Sequence, residues 1–156
     1  EIIMIDLNED RLKRSMEFGA TKTINSKNGG VVEQIMALTN NRGVDVAMEA
    51  VGTPVTFGLC ESMIAPGGRI ANIGVHGKSV ELHLEKLWDR NISITTRLVD
   101  TVSTGLLLKT VNSGKLKPEK LITHHFKLSE VMKAYETFGN AQKECALKVI
   151  LTNESF

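Results

Sequence analysis

Cysteine, proline and aromatic residues are all scarce in this chain, which has two Cys, three Pro, one Trp, one Tyr and five Phe in 156 residues. Cys60 and Cys145 lie far apart and lack metal-ligand or redox spacing, which excludes a disulfide scaffold and a cysteine-built metal site. Both read as buried thiols in a reducing cytoplasm. So few aromatic rings leave little surface on which bases could stack. An excess of one charge is also missing: 19 basic residues stand against 18 acidic ones. No field therefore favours nucleic acid or an anionic membrane, and no run reaches transmembrane length. The opening residues show no signal-peptide pattern, so the expectation is a cytoplasmic protein whose partners are small molecules or further copies of itself.

Hydrolytic and metal chemistry lack their motifs too. His76, His83, His124 and His125 have no ligand spacing, no serine sits in a Gly-x-Ser-x-Gly elbow, and neither cysteine has an obvious histidine partner. Glu49 reads as a loop acid and Glu61 as a solvated helix residue. No complete catalytic set is present, and no glycine-rich phosphate loop precedes any strand.

What is there is alternation. Ile2 to Ile5 is a short apolar run ending in Asp6, which reads as a strand buried on both faces with an acid at its carboxyl end. Asn8 can cap the helix that follows, and Phe18-Gly19 closes it. Thr21 to Ile24 reads as a strand, Val31 to Leu38 as a helix, and Val44 to Met48 as a strand. Thr53 caps the next helix with Pro54 in its first turn. Pro66-Gly67-Gly68 signals a turn, Arg69 to Val75 a strand, Val80 to Leu84 a half-exposed strand, Glu85 to Asp89 a helical turn and Asn91 to Leu98 another strand. Leu106 to Val111 forms a helical face, Ile122 to Phe126 a strand, Ser129 a cap for a helix through Phe138, and Ala146 to Leu151 a last strand. Strands alternating with helices predict an α/β fold, a doubly wound parallel sheet of Rossmann-like type. The chain opens in mid-strand without a methionine, so the expectation is a sheet truncated at its N-terminus.

Open sheets bind ligands in the loops after their strands, which directs attention to Asp6, to Ala50 to Thr53, to Ile73 to Val75 and to Thr96 to Leu98. The small and apolar Ala50, Val51 and Gly52 can lie against a planar ring.

At these loops the chain resembles the cofactor-binding half of zinc-dependent medium-chain alcohol dehydrogenases. Ile2 to Arg11 (IIMIDLNEDR), Phe18 to Thr21 (FGAT), Gly43 to Gly52 (GVDVAMEAVG), Pro66 to Arg69 (PGGR), Ile73-Gly74 (IG) and Ala146 to Leu151 (ALKVIL) carry the likeness, in the family's order and spacing. The resemblance implies that Asp6 bonds both adenosine ribose hydroxyls and that Arg11 assists on the same ribose, so NAD is expected over NADP. It implies that Val51 and Gly52 neighbour the cofactor's ribose and nicotinamide. Ile73, Gly74 and Val75 would lie by the nicotinamide end, with Ile73 and Val75 packing there. Backbone groups near Thr96 and Leu98 would orient the carboxamide, and Lys148 would reach the pyrophosphate. The strand Asn91 to Thr96 resembles the edge by which such domains join, implying a homodimer or homotetramer. Residues 1–126 would then be an incomplete NAD-binding domain, and 127–156 a returning helix and strand that pack toward a catalytic domain.

The family's zinc ligands belong to that preceding domain and have no counterpart here. The resemblance thus implies an oxidoreductase that passes a hydride between an alcohol and NAD, of which this chain holds cofactor contacts only and is inactive alone. Zinc-independent quinone or enoyl reductases share much of this half and remain an alternative, and a non-catalytic dimerisation module is a third reading. In the strand order 3-2-1-4-5-6, Ile2 to Ile5 would be the second strand, beside a first strand that is absent. Unseen residues, another chain or a rearranged sheet pairing Ile2 to Ile5 with Val44 to Met48 would have to fill that place.

Overall fold

A computed structural model describes residues 1–98 and 102–153. The chain forms two compact units, residues 1–99 and 100–156. In the second of these units the strand that ends near 126 pairs with the closing strand.

In the first unit, β1 (Ile3–Asp6) and β2 (Lys22–Asn25) pair in parallel, with Asp6 opposite Asn25. The crossover between them is α1 (Glu9–Met16), whose start is set by Asn8: its Oδ1 accepts from the N–H groups of Asp10 (2.8 Å) and Arg11 (3.1 Å). Glu9 and Asp10 in the first turn, with Lys13 and Arg14 in the last, complement the helix dipole. The helix buries Leu12 and Ser15.

A second parallel sheet has the order β3 (Val44–Glu49), β4 (Ile64–Asn72), β5 (Ser93–Thr96). The helix α2 (Val31–Leu38) precedes it, and α3 (Pro54–Met63) joins β3 to β4. As the spacing predicts, Thr53 caps α3, with Oγ1 accepting from Thr56 N–H at 3.3 Å and Pro54 in the first turn. One core layer contains Ala47, Phe57, Cys60, Ile64, Ile70 and Leu87, the last from the short α4 (Leu84–Leu87). Another gathers Ile24, Val31, Ile35 and Met63, with Ile3, Ile5 and Val44 packed against it. The two sheets therefore share an apolar interior although their strands do not pair. Parallel strands covered by helices make this the expected α/β fold.

β1 pairs with β2 alone among the described strands, so the rearranged sheet joining Ile2 to Ile5 with Val44 to Met48 does not occur. Met4, Val46 and Met48 are exposed.

Several elements differ from the sequence reading. Pro66-Gly67-Gly68 lies within β4 rather than before it, absorbed where the register slips between the pairs Val44–Ile64 and Val46–Arg69. Gly67 N–H reaches Arg90 O (2.8 Å), and the Arg90 guanidinium bonds Ile64 O, which fastens this irregular stretch. β4 ends at Asn72, leaving Ile73 to Val75 as a loop. Val80 to Leu84 is no strand, because Glu61 takes the His83 backbone N–H that a ladder would have used. Glu61 is accordingly buried, not solvated, and Glu49 closes β3 rather than lying in a loop.

The second unit contains α5 (Thr104–Asn112), β6 (Ile122–Lys127), α6 (Val131–Gly139) and β7 (Lys148–Thr152), with β6 and β7 parallel. Ser129 is not the cap expected for α6; it lies in a 3-10 turn, Leu128–Glu130, where the Glu130 carboxylate turns back to Lys127 N–H. Cys145 is exposed, contrary to expectation, whereas Cys60 is buried. Among the described residues no helix is long and apolar enough to cross a membrane.

Candidate functional site

Every site residue expected in the first unit follows or ends a strand, apart from Arg11 one turn into α1. Asp6 closes β1, and its Oδ1 accepts from Asn8 N–H at 2.8 Å. Arg11 Nη1 stands 3.9 Å from Asp6 Oδ2, with both side chains partly exposed. The cap at Asn8 thus places a carboxylate and a guanidinium side by side at the start of α1. One carboxylate oxygen is fixed by the backbone, and the other faces only a distant cation.

Val51 and Gly52 follow β3, Ile73 to Val75 follow β4, and Thr96 ends β5 opposite Asn72 in the ladder. The structure brings the first two of these loops together through Glu49. Its main-chain carbonyl accepts from the N–H groups of Ile73 (2.8 Å) and Gly74 (3.1 Å). Its Oε1 accepts from Val51 N–H (2.9 Å), Gly52 N–H (2.8 Å) and the Thr56 hydroxyl (2.6 Å). Gly52 has φ +85° and lies so close to Val75 that a Cβ would fall 2.6 Å from the Val75 carbonyl carbon.

Glu49 is only 1% exposed. Burial pushes its carboxyl up, but the Thr56 hydroxyl, the Gly52 and Val51 N–H groups and His76 together hold it below the ordinary carboxylate range. It is therefore a carboxylate at neutral pH. Its Oε2 has no hydrogen-bond partner and stands 3.3 Å from His76 Nε2. Asn72 Nδ2 donates to Gly74 O (3.2 Å), which leaves Asn72 Oδ1 to accept from His76 Nε2 at 2.8 Å. That network assigns the proton to Nε2. Phe57 meets the His76 ring edge-on, with centroids 6.3 Å apart.

The sequence gives Glu49 only as a loop acid and His76 only as a histidine without ligand spacing, and it does not single out Thr56 or Asn72. The available signal was an acid ending an apolar strand, the same pattern that singled out Asp6. Leu98 lies two residues beyond β5 and is exposed. Lys148 opens β7 in the second unit, where its side chain is exposed. Among the described residues no three His, Cys, Asp or Glu side chains gather to hold a metal.

The model of the zinc-binding dehydrogenase family matches residues 1–113. A zinc-dependent alcohol dehydrogenase of Streptococcus pneumoniae, solved in its apo form, is 50% identical with a TM-score of 0.94; the match covers all of this chain and 45% of that one. An alcohol dehydrogenase of Cupriavidus necator is 32% identical over 154 residues, 96% of this chain and 42% of its own length. An Escherichia coli short chain alcohol dehydrogenase solved with NADH is 26% identical with a TM-score of 0.89, covering 97% of this chain and 44% of that one. The chain thus spans less than half the length of these relatives. With more than two thirds of its residues matched by the family model, the chain belongs to the zinc-binding dehydrogenase family.

Proposed function

We propose that this chain supplies the cofactor contacts of an alcohol dehydrogenase that transfers a hydride between an alcohol and NAD, with an aldehyde or ketone as product. The observation that carries the reading is the Asp6 carboxylate at the end of β1, held by Asn8 N–H and flanked by Arg11. In this reading Oδ2 accepts from the adenosine ribose hydroxyls, with Arg11 beside it at 3.9 Å. A negative group there disfavours a 2′-phosphate, which is the reason to choose NAD over NADP. When bound, the nicotinamide supplies the hydride acceptor or donor.

Val51, Gly52, Ile73, Gly74 and Val75 then border the ribose and nicotinamide, and backbone groups near Thr96 and Leu98 orient the carboxamide. Lys148 serves the pyrophosphate, with residues 127–156 as the returning segment beside the catalytic domain. Zinc, where the whole enzyme uses it, is held by residues outside this chain, and this chain alone is inactive. β5 pairs only with β4 among the described strands and has every residue exposed, which favours a homodimer or homotetramer through Asn91 to Thr96. The working compartment is the cytoplasm.

Calorimetric titration of the polypeptide containing this sequence with NADH and with NADPH tests the reading. Saturable binding of NADH, tighter than NADPH and weakened about tenfold or more by Asp6→Ala, is the expected result, since a charge-assisted hydrogen bond contributes more than a neutral one. Absence of binding, or an Asp6→Ala variant that binds as the wild type does, overturns it.

A further inference from the structure

We propose that Glu49 is the positioning residue of the nicotinamide end, setting the spacing between loop 50–53 and loop 73–75; the inference rests on the cofactor reading above. Five donors converge on this one residue: Val51 N–H, Gly52 N–H and Thr56 Oγ1 on its side chain, Ile73 N–H and Gly74 N–H on its carbonyl. These loops carry exposed side chains, Val75 being 81% exposed, so little apolar burial fixes them. Their backbone geometry depends instead on this one residue, whose carboxylate holds loop 50–53 and whose main-chain carbonyl holds loop 73–75.

The far side of Glu49 completes the link. Oε2 abuts Gly74, at a point where a Cβ would collide with it, and stands 3.3 Å from His76 Nε2, whose proton goes to Asn72 Oδ1. A carboxylate suits that corner better than an amide, because an amide NH2 would meet Nε2–H donor to donor. Removing the Glu49 side chain therefore releases loop 50–53 while the Glu49 carbonyl still holds loop 73–75, which changes the spacing between the two and leaves β1, Asp6 and Arg11 untouched. Glu49 itself has no exposed atom with which to touch a cofactor, so its effect passes through the loops.

The test exploits a ligand that lacks the affected half. NADH and ADP-ribose share the adenosine ribose and pyrophosphate, but only NADH has the nicotinamide. Affinities for both are measured by fluorescence titration and competition on the polypeptide containing this sequence, as wild type, Glu49→Ala, Glu49→Gln and Thr56→Val. Glu49→Ala is expected to weaken NADH about tenfold or more and to leave ADP-ribose within about twofold, since hydrogen bonds to a charged group are lost at one end only. Glu49→Gln, which keeps the Oε1 acceptor, falls between it and the wild type. Thr56→Val removes one donor and gives a smaller shift of the same kind, and it answers the question if Glu49→Ala does not fold. Equal losses for the two ligands, which a merely structural role would produce, or no loss for either, overturn the inference. A wild type that binds neither ligand overturns it together with the cofactor reading, and so separates that failure from this one.

Discussion

Gly74 and Glu49 compete for the same space: a Cβ built on Gly74 would meet the Glu49 Oε2 and the backbone nitrogen of Gly52. Neither obstacle can turn away, because Glu49 is held by hydrogen bonds and Gly52 N–H is one of its donors. Gly74→Ala is therefore expected to destabilise the chain by about 1–3 kcal/mol, the range for overpacking a fixed site. Urea unfolding of the two proteins measures it. Equal midpoints would mean that the loop moves aside freely.

The two thiols should differ sharply in reactivity. Burial, with the negative charges of Glu49 and Glu61 nearby, pushes the Cys60 thiol up to about 11. Cys145 is exposed. Iodoacetamide at neutral pH is expected to modify Cys145 in the native protein and Cys60 only after denaturant is added. Peptide mapping by mass spectrometry reads the outcome, and modification of Cys60 at the rate of Cys145 would contradict the packing around α3.

Glu61, 6% exposed, accepts the backbone N–H of His83 at one oxygen and faces its Nδ1 at 2.9 Å with the other. His83→Ala leaves the backbone bond intact and strips the second oxygen of its partner. The expected cost is about 1–3 kcal/mol, the usual penalty for a buried polar group left unsatisfied. Lys133→Ala breaks the exposed pair with Glu130 and is expected to cost at most about 1 kcal/mol. Guanidinium unfolding of both variants compares them, and a smaller loss for His83→Ala would show that water replaces the imidazole.

The alternation of strands and helices was legible because each element follows a local rule. Asn8 and Thr53 cap the helices that their positions announce, and Val31 and Ile35 bury the face that their spacing marks. Asp6 and Arg11 meet for the same reason, since a cap at Asn8 fixes both across a few residues. Long-range partners left no such trace. The Glu61 to His83 contact spans 22 residues, and it turned an alternating segment, Val80 to Leu84, away from strand pairing. Glu49 looks like a loop acid in the sequence because its role depends on His76 and Gly74, which come from another loop. Pro66 within β4 was read as a boundary because the register slip that accommodates it is a property of the pair of strands.

The buried Glu49 also makes stability depend on pH in a direction that can be worked out. Its carboxyl lies below the ordinary value of 4.5 in the folded chain and returns to it on unfolding. The unfolded state therefore binds the proton more readily, so the stabilisation is fully present above the ordinary value and is lost as pH falls through the folded one. Glu49→Gln cannot titrate and carries no such dependence. The difference between wild type and Glu49→Gln is therefore the quantity that reports this group. Urea unfolding from neutral pH downward is expected to show the advantage of the wild type holding until the ordinary carboxylate range and shrinking below it. A difference that stays constant through that range would mean that the hydrogen bonds from Thr56, Val51 and Gly52 do not favour the charged form.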